Sequence, residues 1–204
     1  MRKGDNITMS FTENFRKVLK RRTRNAKYFF QWLFTEKIRG LDFTMKKITG
    51  LEKTEEYSEH GYHGYAKSPE EVVRRALGII SPGSEDSFID VGCGKGITMR
   101  EAAKFPFRRI AGIEFDEGIY NITVRNFMRL GLQERVRVFH CRAEEFEHYG
   151  DYNVFYFFNP FGGETRRIVL EKIFEAVRNT TEHNRTQQNN TGLSGYSTTA
   201  EKAA

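Results

Sequence analysis

Three glycines fall within five residues where one apolar run ends and a helix-like run begins. Ser87-Phe-Ile-Asp-Val91 leads directly into Gly92-Cys-Gly-Lys-Gly96, followed by Ile97-Thr-Met-Arg-Glu-Ala102. So tight a strand-to-helix turn needs residues without a Cβ, because positive φ and close backbone approach are largely closed to the others. The same glycines let backbone N–H groups come close to a ligand where a side chain would collide.

The run after this loop narrows the ligand. Residues 109–114 form a second short apolar segment, ending in Glu114, 22 positions after Gly92. A carboxylate at that place can accept hydrogen bonds from both hydroxyls of a ribose. A glycine-rich first crossover followed by an acid about 20 residues later implies an adenosine-type ligand at the C-terminal ends of the strands.

The rest of the region alternates in the same way. Ser68-Pro69-Glu70-Glu71 predicts a helix start with Ser68 at the N-cap and Pro69 as the first helical residue. Val72, Val73, Ala76, Leu77 and Ile80 supply its apolar face, and residues 81–84 break it. Asp116 is placed to cap a helix running to about Leu130, with Gly131 as its stop. Residues 135–140 and 153–158 read as third and fourth strands, the fourth apolar enough to be covered on both faces. Residues 164–178 read as a closing helix. Strand–helix alternation of this kind predicts an α/β fold with a parallel sheet.

Charge divides the chain. Residues 1–50 hold 13 Lys/Arg against 4 Asp/Glu, whereas the remainder holds 20 against 23. In the basic part, Ser10 and Glu13 fit a capping box, and Phe15, Val18, Leu19, Ala26, Phe29, Phe30 and Leu33 recur at helical spacing. Two readings stay open: an amphipathic helix docked on the main domain, or a helix meeting nucleic acid or an anionic surface. Residues 1–56 are expected to form a basic helical extension, 57–178 the ligand-binding domain, and 179–204 a polar, disordered tail without Ile, Val, Phe, Met or Trp. No apolar stretch is long enough for a transmembrane segment. With no signal-peptide pattern and only Cys93 and Cys141, the expectation is a cytoplasmic protein without a disulfide framework or metal centre.

Glycine spacing then separates known loops. A dinucleotide fingerprint would put its third glycine at 97, where Ile97 stands, which disfavours an NAD-dependent oxidoreductase. The phosphate loop of nucleotide triphosphatases is absent. What stands is Asp90-x-Gly92-x-Gly94-x-Gly96, and this resembles motif I of the class I S-adenosylmethionine-dependent methyltransferases. The resemblance covers about residues 60–178.

It implies a Rossmann-like parallel sheet with flanking helices, S-adenosylmethionine as cofactor, and roles by position. Gly92, Gly94 and Gly96 would lie under the methionine and ribose of the cofactor, with Cys93 as a small residue filling the loop. Asp90 would sit near the methionine amino group through water, Glu114 would hold the ribose, and Phe115 would flank the adenine. Lys95 is expected to face solvent. Where the family often has Asp-Ala after the third strand, this chain has Arg142-Ala143-Glu144, whose backbone near Ala143 and Glu144 would meet the adenine. Asn159-Pro160-Phe161 stands where the family faces the transferred methyl, and it resembles the Asn-Pro-Pro-aromatic motif of enzymes acting on planar nitrogens, without the second proline. These three are the catalytic candidates, with Asn159 also beside the cofactor. Residues 57–65, carrying three Tyr and two His, would cover or line the cofactor entrance, with Tyr65 against the cofactor.

The family sheet has seven strands, and four are legible here, leaving residues 154–158 as an exposed sheet edge. The chain is therefore expected to be truncated or completed by a partner, such as a homodimer through that edge. The methyl acceptor, whether small molecule, RNA or protein, is not encoded in any motif. The alternative to an enzyme is a non-catalytic module that binds nucleic acid or an anionic surface through its basic helix.

Overall fold

The computed structural model describes residues 33–44, 61, 62 and 64–194, with side chains described to residue 179. The chain divides into two units, Met1–Met45 and Lys46–Ala204. In the first, a π-turn spans Leu33–Lys37. It is closed by Glu36, a buried carboxylate that accepts from the Phe43 and Thr44 N–H groups at 2.9 and 2.8 Å and from the Thr44 hydroxyl. The rest of the expected N-terminal helix before Leu33 lies outside the described residues.

The second unit is an α/β domain. Strands β1 (Ser87–Val91), β2 (Arg109–Glu114), β3 (Arg137–His140) and β4 (Val154–Phe157) form one parallel sheet in the order β3-β2-β1-β4. Helices α1 (Glu70–Ile80), α2 (Ile97–Ala102), α3 (Glu117–Leu130) and α4 (Gly163–Ser194) accompany it. The four expected strands are present; β3 and β4 are shorter than the apolar runs that contain them.

Two-residue alternation sorts the strands between two cores. Phe88, Ile110, Val138 and Val154 pack with Val73, Leu77, Met99 and Phe127 of the helices on one face. Ile89, Val91, Ala111, Ile113, Phe155 and Phe157 pack with Val169 and Ile173 of α4 on the other. β1 is buried along its whole length because it has a strand on each side and helices on both faces. Its loop, at the C-terminal end, is thereby held by the most constrained strand in the sheet.

Three helix details differ from the sequence expectation. Pro69, not Ser68, is the N-cap of α1, and no side chain caps that end. Ser68 is instead buried, beside the Tyr156 hydroxyl. Only Val73 and Leu77 of α1 are buried, while Val72, Ala76 and Ile80 are exposed, because the helix presents a single i, i+4 stripe to the sheet. The closing helix does not stop at 178 but continues to Ser194. Residues 179–191 contain neither Pro nor Gly, and extending an existing helix through polar residues costs little per residue. The Asp116 cap and Gly131 stop of α3 are as expected: Asp116 accepts from the Ile119 N–H at 2.9 Å, and Gly131 has φ 66°.

Candidate functional site

The glycine loop is pinned at its start by Ile113, whose carbonyl accepts from the Gly92 and Cys93 N–H groups at 3.0 and 2.8 Å. Two of its glycines are required by what lies against them. At Gly92 (φ +78°), a Cβ would sit 2.3 Å from Cβ of Pro160, so the loop after β4 rests directly on the loop after β1. At Gly94 (φ +53°), a Cβ would enter the Tyr65 ring at 2.6 Å. The loop is also held from behind by α3. Thr123 Oγ1 donates to the Gly94 carbonyl at 2.6 Å, and Asn126 Nδ2 to the Lys95 carbonyl at 3.1 Å.

Glu114 closes the arrangement. Its two carboxylate oxygens accept from the Gly94 and Asp116 N–H groups, both at 2.9 Å. The Phe115 N–H also bonds to this carboxylate, and of its four lone pairs at least one is left for an incoming hydroxyl. Burial pushes its pKa up to about 7, against the backbone N–H groups of Asp116, Gly94 and Phe115, which favour the charged form. Asp90, at the neighbouring strand end, is pushed up to about 8, first by burial and further by Glu114, with a Thr98 hydrogen bond opposing.

Both acids line one cavity with Tyr65, Gly92, Cys93, Gly94, Phe115, Ala143, Asn159, Pro160 and Phe161. The structure thus brings eleven of the thirteen sequence-derived site residues to a common wall. The other two stand off it. Gly96 faces α3, its α-carbon against the Phe127 ring and Thr123. Glu144 accepts from the Tyr62 hydroxyl at 2.7 Å. Ala143 is buried, with its carbonyl held by the Tyr149 hydroxyl at 2.9 Å. Asn159 adopts φ 50°, a left-handed conformation uncommon outside glycine, and Phe161 is buried behind it.

Lys95 corrects an expectation. It is fully buried rather than solvent-facing, with its ammonium 5.1 Å from the centre of the Tyr65 ring. The Tyr65 strand of chain lies over the loop and covers the lysine, a contact no local pattern encodes. Residues 57–60 and 63, with His60 and His63, lie outside the described residues.

Tyr62 lines the cavity, as expected of residues 57–65, but sequence reasoning passed over several other wall residues, among them Thr98, Ile119 and Cys141. It also passed over Gly112, beneath the loop: a Cβ there would meet Met99 Sδ at 2.5 Å and Cys93 Cβ at 2.6 Å. A glycine inside an apolar strand was the available signal, since it marks close approach by another group.

The cavity fits the group that the resemblance implies. Two buried carboxylates at one side suit a cationic, hydroxyl-bearing ligand, while Ile113, Ile119 and Ala143 offer an apolar seat for a base, with Phe115 beside them under the Tyr62 ring. Fold, loop and acids together make an α/β domain with its cavity at the C-terminal ends of parallel strands, the arrangement that the resemblance implies.

Comparison with known proteins finds similarity over parts of their length. The chain is 35% identical over 72 residues to the human MTRF1L release factor glutamine methyltransferase, which spans 35% of this chain and 21% of that protein. It is 32% identical over 75 residues to a protein-lysine N-methyltransferase of Saccharolobus islandicus (strain REY15A), covering 36% of this chain and 47% of the relative. The chain thus spans about a fifth and about half of these two relatives. Among solved structures, an RNA methyltransferase from Salinibacter ruber in complex with S-adenosyl-L-homocysteine aligns with a TM-score of 0.41 at 25% identity, over 45% of this chain and 60% of that one. No protein-family model matches the chain.

Proposed function

We propose that the chain is an S-adenosylmethionine-dependent methyltransferase acting on an acceptor still to be identified. The observation that carries this reading is the convergence of Asp90 and Glu114, at the ends of adjacent parallel strands, on one cavity floored by the glycine loop. Glu114 would hold the ribose hydroxyls, Asp90 the methionine ammonium, and Phe115 and Ala143 the adenine.

The cofactor, when bound, supplies an electrophilic methyl on a sulfonium. The protein's part is alignment of the two reactants and exclusion of water. Asn159, Pro160 and Phe161 line the same cavity and lie beside the glycine loop through the Pro160–Gly92 contact, which supports a role for the Asn159 amide and the Phe161 ring in holding the acceptor. No resident base is required unless the acceptor must lose a proton on attack.

The same reading takes the protein as cytoplasmic, with basic residues 1–50 meeting nucleic acid or an anionic surface, and β4 pairing with a second copy. β4 bonds to β1 alone among the described strands, and open strand edges favour such pairing. No described helix is long and apolar enough to cross a membrane.

Calorimetric titration of the full chain with S-adenosylmethionine and S-adenosylhomocysteine tests the core of the proposal. Saturable binding of both, lost in Glu114→Ala, is the expected result. A folded protein that binds neither would overturn it.

A further inference from the structure

The ring of Tyr62 lies stacked on Phe115, with centroids 4.2 Å apart and planes 22° from parallel. A third flat ring between them would need about 7 Å, twice the roughly 3.5 Å contact distance of carbon atoms. The Phe115 face that looks toward Tyr62 is therefore already covered by a side chain of the protein itself. Phe115 in turn is held from the sheet, its carbonyl 3.1 Å from His140 Nε2.

Tyr62 is fixed by three further contacts on two other elements. Its hydroxyl donates to Glu144 Oε2 at 2.7 Å, on the loop after β3. Its backbone forms an isolated antiparallel bridge with Phe161, beside a bond from the Gly162 N–H to the Gly61 carbonyl at 2.9 Å. The Phe161 ring meets the Tyr62 ring edge-on at 6.0 Å. Gly61 has φ +63°, and a Cβ on it would press on Gly162 O at 3.3 Å, so this crossing depends on glycine. One short strap thereby touches the base end of the cavity and the Asn159–Phe161 loop together. The far carboxylate oxygen of Glu144, Oε1, is buried with no hydrogen-bond partner among the described residues. A buried unsatisfied acceptor works against the closed strap.

We propose that Tyr62 is a latch: in the closed strap its ring takes the Phe115 surface that the adenine of the cofactor would use, and its withdrawal opens that surface while releasing the Phe161–Gly162 loop. The inference rests on the methyltransferase reading above for the identity of the ligand. Its consequence is coupling. A ligand that displaces Tyr62 also breaks the Gly162–Gly61 bond, so occupancy of the cofactor end is transmitted to the acceptor end through a single segment. A closed latch lowers apparent affinity by the fraction of molecules that are open.

The test is titration of S-adenosylhomocysteine into the full chain as wild type, Tyr62→Ala, Tyr62→Phe and Glu144→Gln, with amide hydrogen exchange at Gly162 followed in parallel. A latch closed in nine of ten molecules predicts about a tenfold gain in affinity for Tyr62→Ala. Tyr62→Phe keeps the ring and loses only the bond to Glu144; it should show a smaller gain and faster exchange at Gly162 even without ligand. It decides the matter if the alanine variant does not fold. In the wild type, saturating ligand should speed exchange at Gly162. Weaker binding by both Tyr62 variants, with slower Gly162 exchange on ligand binding, would make Tyr62 a wall of the site and overturn the latch. Absence of binding in the wild type and in every folded variant would instead defeat the cofactor reading, and the latch with it.

Discussion

The Gly94 N–H donates to Glu114 at 2.9 Å, so the acid that ends β2 holds in place the glycine loop that follows β1. Glu114 is thus a structural fastener as well as a candidate ribose ligand. Glu114→Ala would leave the Gly94 and Asp116 N–H groups without their acceptor, at about 1–3 kcal/mol for a buried unsatisfied group. The expected outcome is a measurable fall in stability by urea denaturation together with loss of S-adenosylhomocysteine binding. Glu114→Gln keeps an acceptor oxygen, so it should recover much of the stability and little of the binding. Equal stability of the alanine variant and the wild type would show that Ile113, Thr123 and Asn126 hold the loop without Glu114.

Asp90 and Glu114 also predict a pH dependence. Their pKa values are raised from 3.8 to about 8 and from 4.5 to about 7, mainly by burial. Folding therefore takes up protons at neutral pH. The stability these groups contribute is full below about pH 4 and is lost as pH rises through 7 and 8. The melting temperature of the ligand-free protein should fall between pH 5 and 9, less steeply in Asp90→Asn. A cationic ligand favours the charged carboxylates, so binding of S-adenosylmethionine should release protons and tighten as pH rises. S-adenosylhomocysteine, lacking the sulfonium charge, should show a weaker trend. Calorimetry in two buffers of different ionisation enthalpy counts the protons, and proton uptake on binding would contradict the assignment.

Tyr65 and Gly94 give a coupling test. Gly94→Ala imposes the left-handed conformation on a residue with a Cβ, about 1–2 kcal/mol, and also drives that Cβ into the Tyr65 ring. Tyr65→Ala alone removes a ring that covers the Lys95 ammonium. The double variant should lose less stability than the two single losses added together, because the collision is absent. Strict additivity in denaturant melts would mean that the ring simply swings away.

Those contacts also mark what local sequence can reveal. Asp90, the glycines and Glu114 were legible because a short spacing in one strand–turn–helix unit encodes them, and the parallel strands on either side follow from apolar period and turn residues. Asp116 and Gly131 bounded α3 through ordinary cap chemistry. Lys95 was misread because its burial depends on Tyr65 folding over it from another part of the chain. The Tyr62–Glu144 bond, 82 residues apart in sequence, has no local signature at all. On α1, apolar spacing gave the helix but overstated its buried face, since Val72, Ala76 and Ile80 meet no described neighbour that covers them. Beyond residue 178, composition suggested disorder, yet the backbone lacks a breaker and helix continues to Ser194.

Asn159 separates backbone strain from chemistry. With φ 50° it sits where glycine is comfortable and alanine is not. Both Asn159→Gly and Asn159→Ala remove the side-chain amide, so the difference between them isolates the backbone. The glycine variant should be more stable than the alanine variant by about 1 kcal/mol in denaturant melts. If the amide serves the acceptor, both variants should bind S-adenosylhomocysteine about as well as the wild type. If it serves the cofactor, both should lose affinity to the same extent despite their different stabilities. An alanine variant as stable as the glycine one would show that the turn has left the left-handed conformation, and Pro160 would then no longer rest on Gly92 as it does here.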